Sequence, residues 1–479
     1  MINPFSQDAR PASNGSLRHS RPRARRYFTG SIERRQHARR ALQAIFVTVG
    51  LGAACVATAM PAGEADRLGK DLTPNGAERA GNKEGTIPEW SGGLTQAPAG
   101  VPANGDPFSN EKPLFVVNGQ NLEKYKDKLS IGMIAILRKY PNLAMPIYPT
   151  HRTFANSRSV YDATKAQAGK VSLKAGSLEG YSLPGTPFPN PTTGMEAMYN
   201  HLTRWIGSYA RCSDWLPVRA NGDFYRVGFC EDLVQSQNFD QRQPNHIFSF
   251  FGGYDAPATL VGTLYLVHDP IDHTLGNRRA WIYNAGQRRV RRAPDLAYDA
   301  ATDGDEGMRT VDDYWGFNGA LDRYDWKLIG KRELYVPYNT YKANDKSLKY
   351  KDMVDKGSLR SDLLRYELHR VWQVEATLKP GMSHSYARRT LYLDEDSNQV
   401  VLADEYDSHG TLWRSHELGL VVDWTVPVMY QAPWILHDLI GGGYLVEALT
   451  NERREAVVWN VQKKWNDFQV EAIRRRGVR

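Results

Sequence analysis

From about residue 212 onward the chain alternates apolar and polar positions with a period of two, the pattern of strands that bury one face. The clearest run is Tyr366–Leu378. Tyr366, Leu368, Trp372, Val374, Ala376 and Leu378 fall on one side of it, and Glu367, His369, Gln373, Glu375 and Thr377 on the other. Further strands are expected over 259–267, 279–283, 288–292, 324–335, 386–393, 399–406 and 411–418, with turns at 394–398 and 407–410. Helical spacing occurs in three places: 121–140, where Asn121 would cap a helix ending before Pro141, 194–207 and 466–476. Residues 60–120 are rich in Gly, Pro and Asn and are expected to form an irregular arm on the surface. The fold class implied for 121–479 is mainly β with a few helices, built on a large curved antiparallel sheet. Such a sheet either closes into a barrel or wraps its apolar face around something else.

Charge changes the picture at the N-terminus. The chain has 61 Lys+Arg against 53 Asp+Glu, a net charge of +8. Ten arginines and two acids lie in the first 40 residues, so the remainder is balanced and the excess says nothing about nucleic acid. After the basic flank at 34–40 comes an apolar stretch beginning at Ala41, and Ala57-Thr58-Ala59 supplies a small-x-small cleavage pattern. Residues 1–59 therefore read as an extension plus an export signal leading to the periplasm. The alternative is a retained anchor, because the uncharged run reaches Gly63.

Export bears on the cysteines. Two apolar runs flank Asn221-Gly222, and a three-residue loop over 220–222 sets Arg219 against Asp223. The same register puts Cys212 opposite Cys230, where an oxidising compartment would join them; a reducing one would leave two buried thiols.

Catalytic patterns are thin. There is no Gly-x-Ser-x-Gly elbow, phosphate loop, dinucleotide fingerprint or Cys-x-x-Cys in the mature region. His268 to His273 and Asp303 to Glu306 offer ligand-type side chains only in turns, so no metal or cofactor is expected. One segment stands out, a hairpin with an aromatic first strand carrying Trp281 and Tyr283 and a second of Arg288, Arg289, Val290, Arg291 and Arg292. Alternation sends Arg289 and Arg291 to one face, and Arg288 and Arg292 to the other. This is either a solvated edge strand protected by charge or a cationic rim beside an apolar surface, suited to an amphiphile with an anionic head.

The opening from Leu68 to Gly93, which includes Asp71-Leu72-Thr73-Pro74-Asn75-Gly76-Ala77-Glu78-Arg79, closely resembles the start of the domain-of-unknown-function 1329 family. Tyr148-Pro149-Thr150-His151-Arg152, Asp312-Asp313-Tyr314, Phe317-Asn318-Gly319-Ala320 and Val336-Pro337-Tyr338-Asn339 resemble it too. The resemblance implies a fold like the lipoprotein carriers LolA and LolB, a half-open barrel closed by helices over an apolar cavity. It also implies a hydrophobic or amphiphilic cargo, with a resistance-nodulation-division exporter and an outer-membrane protein as partners, and no catalytic residues. The expectation is a periplasmic carrier or exporter accessory, with Tyr366, Leu368, Trp372 and Val374 lining the cavity or packing under helices. A scaffold bridging the two membranes and, behind it, a glycan-active envelope enzyme are the alternatives.

Overall fold

The computed structural model describes residues 63–102, 105–294, 296 and 298–477. The expected export signal lies outside the described residues. The arm expected over 60–120 is irregular apart from a 3-10 turn at Glu64–Arg67 and, as a departure from that expectation, the strand β1 (Phe115–Asn118) at its end, which pairs with β2 (Ala144–Ile147) across α1 (Ile131–Lys139) to join the sheet. Then come α2 (Arg158–Gln167), the small hairpin β3 (Ser172–Lys174) and β4 (Ser177–Glu179), and α3 (Gly194–Thr203). The first half of the main sheet is β5 (Tyr209–Val218), β6 (Val227–Gln235), β7 (Phe248–Ala256), β8 (Leu264–Asp269), β9 (Arg279–Asn284) and β10 (Arg289–Arg292). The second is β11 (Tyr324–Pro337), β12 (Tyr366–Leu378), β13 (Arg388–Asp394), β14 (Val400–Tyr406), β15 (Leu412–Asp423), β16 (Val428–Asp438) and β17 (Tyr444–Leu449), with the short α4 (Tyr350–Met353) between β11 and β12. β18 (Val458–Trp459) and α5 (Val470–Gly477) end the described chain.

Sixteen strands join one mixed sheet, in the order β1-β2-β12-β13-β14-β15-β16-β17-β5-β6-β7-β8-β9-β10, with β11 on β12 and β18 on β5. Pairing of β17 with β5 splices the two meanders, and the sheet does not close into a barrel. The β5–β6 register is the one the short loop demands: the Arg219 amide donates to the Asp223 carbonyl at 2.9 Å, Cys212 pairs with Cys230, and the two form a disulfide.

The expected continuous helix over 121–140 is interrupted. Asn121 does not cap it, because its Oδ1 accepts from the Asn118 amide at 2.9 Å; two 3-10 turns follow. Helix α1 starts only where the Ser130 hydroxyl accepts from Met133 N at 3.1 Å. The strand expected over 259–267 begins later, at Leu264, since 257–263 turns back on itself through Leu260 N to Pro257 O and Thr263 N to Leu260 O.

Both faces of the central strands are covered, which the alternation did not foresee. Helix α1 packs on one face so closely that a Cβ on Gly132 would sit 2.0 Å from Asp404 Oδ1. On the other face α3 begins with a capping box between Thr193 and Glu196, and a Cβ on Gly194 would lie 2.7 Å from the Trp326 backbone. Glu367 and His369, expected on a solvated face, are 0% and 1% exposed. Residues 149–153 bury them: the His151 amide donates to Glu367 at 2.7 Å and Asn339 Nδ2 to the other oxygen at 2.9 Å. The arm is pinned as well. Arg152 makes a bidentate pair with Asp396 (2.9 and 2.6 Å) and donates to the Glu78 carbonyl, while Asn75 donates to the Asp396 carbonyl.

Candidate functional site

Strands β5–β8, Leu296 and the chain from 301 to 318 line a cavity of about 160 Å³. Alternation along four neighbouring strands supplies the wall: Trp215 from β5, Phe229 and Leu233 from β6, Phe248, Phe250 and Tyr254 from β7, and Tyr265 and Val267 from β8. The rings brace one another, with Phe229 stacked on Phe250 at 5.6 Å and set edge-on to Tyr254 at 5.0 Å. Gly252 makes this possible, because a Cβ there would lie 2.5 Å from the Phe229 ring. Opposite the sheet, Tyr314 and Trp315 of the 3-10 segment Val311–Gly316 close the space. Ala301 and Asp303 are exposed and form its mouth, where the hydroxyls of Tyr254 and Tyr265 donate to Asp303.

Charged groups in the wall are partnered. Arg278 grips Asp269 with two bonds of 2.9 and 2.8 Å and donates to the Asn318 carbonyl. Arg211 holds Glu231 at 2.7 Å. Arg309 lies over the Trp215 ring at 5.0 Å and donates to Glu447 at 2.9 Å, with Asp305 at 3.5 Å. Burial pushes Glu447 up to about 7, and Arg309 offsets this only in part; burial likewise pushes Asp305 up to about 6. Glu447 binds its proton more tightly folded than unfolded, so its stabilising contribution is complete below its ordinary 4.5 and is lost as pH rises through about 7. The Glu447→Gln variant is therefore expected to show a flatter dependence of unfolding free energy on pH across that window, measured by urea unfolding at a series of pH values.

A second charged group lies beyond Tyr314. Arg389, fully buried, donates to Asp312 at 2.9 Å and stands 3.5 Å from Asp313 and from Glu405. Burial would raise Asp313, but Arg389, His416 and Arg414 outweigh it and hold the carboxyl below the usual range. Asp313, Glu405 and His416 form one set of ligand-type atoms within 4.8 Å, and His369, Asp394 and Asp396 another. In the first, Arg389 and Arg414 already supply the positive charge a metal would bring, and in the second Arg152 does so. The sequence carried a signal for the first set, since Arg389, Glu405, Arg414 and His416 interrupt the apolar side of expected strands.

The residues singled out from the sequence lie elsewhere. Trp372 and Val374 pack in the core beneath α3, with Lys331 Nζ 4.7 Å above the Trp372 ring. Tyr366 is buried and donates to Glu417, and Leu368 is buried beside it. Tyr283 lies under the end of α5, where a Cβ on Gly477 would meet its ring at 2.4 Å, and Trp281 stands 5.1 Å from His268 in the same cluster. None of the six is among the cavity-lining residues. Arg289, Arg291 and Arg292 are exposed on β10; Arg288 belongs to the preceding turn, with φ +50°, so strand alternation does not assign its face. The signal missed was β7, where Phe248, Phe250 and Tyr254 alternate across the Gly252-Gly253 pair.

Fold and cavity together define an open, mainly β protein with an aromatic internal pocket. The chain belongs to the family described as protein of unknown function (DUF1329), whose model matches residues 116–474. It is 41% identical over 444 residues to the uncharacterized protein PA3922 of Pseudomonas aeruginosa, covering 90% of this chain and 97% of that one. Among solved structures it is similar to a DUF1329 family protein from Desulfovibrio piger, with 17% identity, a TM-score of 0.39, and coverage of 56% of this chain and 90% of the other. A LolA superfamily protein from Nitrosomonas europaea is similar at 12% identity and a TM-score of 0.33, over 54% of this chain and 91% of that one. Among the described residues no helix is long and apolar enough to cross a membrane.

Proposed function

We propose that the protein is a cell-envelope carrier that holds a hydrophobic molecule in the cavity between β5–β8 and residues 301–318. The observation that carries this reading is a wall of aromatic rings in which the arginines and acids already have partners, so apolar surface is what the cavity offers a guest. Its size fits the idea, since an apolar cavity of roughly 150 Å³ stays dry and admits a benzene-sized guest. A longer chain would extend past Ala301 and Asp303 or shift the covering segment. The disulfide fits an oxidising compartment, in keeping with a periplasmic carrier that passes cargo between an inner-membrane exporter and the outer membrane.

Fatty acids brominated along the chain quench tryptophan emission on contact, and Trp215 and Trp315 line the cavity. Saturable quenching is expected, and it should be lost when unbrominated fatty acid competes. Emission unchanged by the brominated acid would sink the proposal for acyl cargo.

A further inference from the structure

Two arginine-rich segments far apart in sequence meet at one corner of the molecule. Between Asp272 and Pro294 there is no acid, and six arginines lie there, of which only Arg278 has a carboxylate partner among the described residues. Helix α5 brings Arg474, Arg475 and Arg476 against the same strands, its end resting on Tyr283. Arg288, Arg289, Arg474 and Arg475 are exposed and have no ion pair among the described residues.

The loop between β7 and β8 joins this corner to the cavity mouth. A Cβ on Gly262 would lie 2.8 Å from Ala285 of the arginine hairpin's turn, and one on Gly304 would lie 2.9 Å from Leu260. Between those contacts Val261 stands 50% exposed, an apolar side chain with cations on one flank and the mouth residue Asp303 on the other. Of the acids nearest the mouth, Glu306 pairs with Arg219 and Asp255 with Arg453, while Asp303 accepts from Tyr265 and keeps its charge. Asp303 and Glu471 of α5 are outnumbered by the arginines without an ion pair among the described residues, Arg288, Arg289, Arg291, Arg292, Arg474 and Arg475, so the balance at this end is positive.

We propose that this corner, formed by the β9–β10 turn, the end of α5 and the tip of the β7–β8 loop, docks on an anionic lipid bilayer and sets the cavity mouth against it. A strand-adding acidic peptide would need only the edge of β10. It would leave unused the cations of α5 and the exposed Val261, whereas a flat anionic surface engages all of them, polybasic clusters gaining from each arginine near the lipid headgroups. The use of this docking for cargo exchange rests on the carrier reading; the docking itself does not.

The test is co-sedimentation of the purified protein with phosphatidylethanolamine/phosphatidylglycerol vesicles and with phosphatidylcholine vesicles. Binding is expected to the anionic vesicles alone and to weaken as salt is added. Replacing Arg288, Arg289, Arg474 and Arg475 together by Gln should weaken it roughly five-fold per arginine, several hundred-fold in all. Val261→Asp should weaken it further while the thermal midpoint stays unchanged. Equal binding to both vesicle types, no binding at all, or an unaffected arginine variant overturns the proposal, and no binding would leave an acidic protein as the partner. Bound cargo in the four-arginine variant should match wild type. Loss of vesicle binding without loss of cargo separates docking from the carrier function, and vesicle binding by a protein that carries no cargo would leave docking standing alone.

Discussion

Replacing Arg389 by Met is expected to lower the unfolding free energy by about 4 kcal/mol, the cost of leaving buried carboxylates without their cation. Arg389 is 0% exposed and stands among Asp312, Asp313 and Glu405, each within 3.5 Å of its guanidinium. Asp313 is held ionised by Arg389 together with His416 and Arg414. Removing Arg389, the nearer of the two guanidinium groups to Asp313, leaves like charges facing one another at low dielectric. Adding Glu405→Gln to Arg389→Met should recover part of the loss, because it removes one of the orphaned acids, and a double-mutant cycle by urea unfolding would measure the coupling. A loss below about 1 kcal/mol for the single variant would show that the cluster is hydrated or neutral rather than ionised.

Val267→Trp is expected to empty the cavity of cargo while leaving the fold intact. Val267 is only half-buried on β8 and faces the open space, so the larger ring can extend into the volume a guest would occupy. Displacing about 80 Å² of buried cargo surface at about 25 cal/mol per Å² costs about 2 kcal/mol, some thirty-fold in affinity. Quenching by brominated fatty acid should fall accordingly, at an unchanged thermal midpoint. Undiminished binding with the fold retained would place the cargo elsewhere on the sheet.

Strands with clean alternation were legible: β12 runs over Tyr366–Leu378 as expected, and the three-residue loop set the Cys212–Cys230 register. What alternation could not show is which apolar face a helix would cover. On β12 that face went to α3, while the open face belongs to β5–β8. The closing wall was harder still, since Tyr314 and Trp315 sit in a kinked segment in which Trp315 has φ +59°, and no periodicity marks it. Glu367 and His369 were expected on a solvated face because a charge in a strand is buried only once partners from other segments meet it.

Native mass spectrometry of the protein purified from its own envelope, followed by organic extraction, tests the central claim most directly. A stoichiometric hydrophobic molecule is predicted, present in wild type and absent from Val267→Trp. An apo mass for wild type that stays unchanged after incubation with envelope lipids would contradict the carrier account.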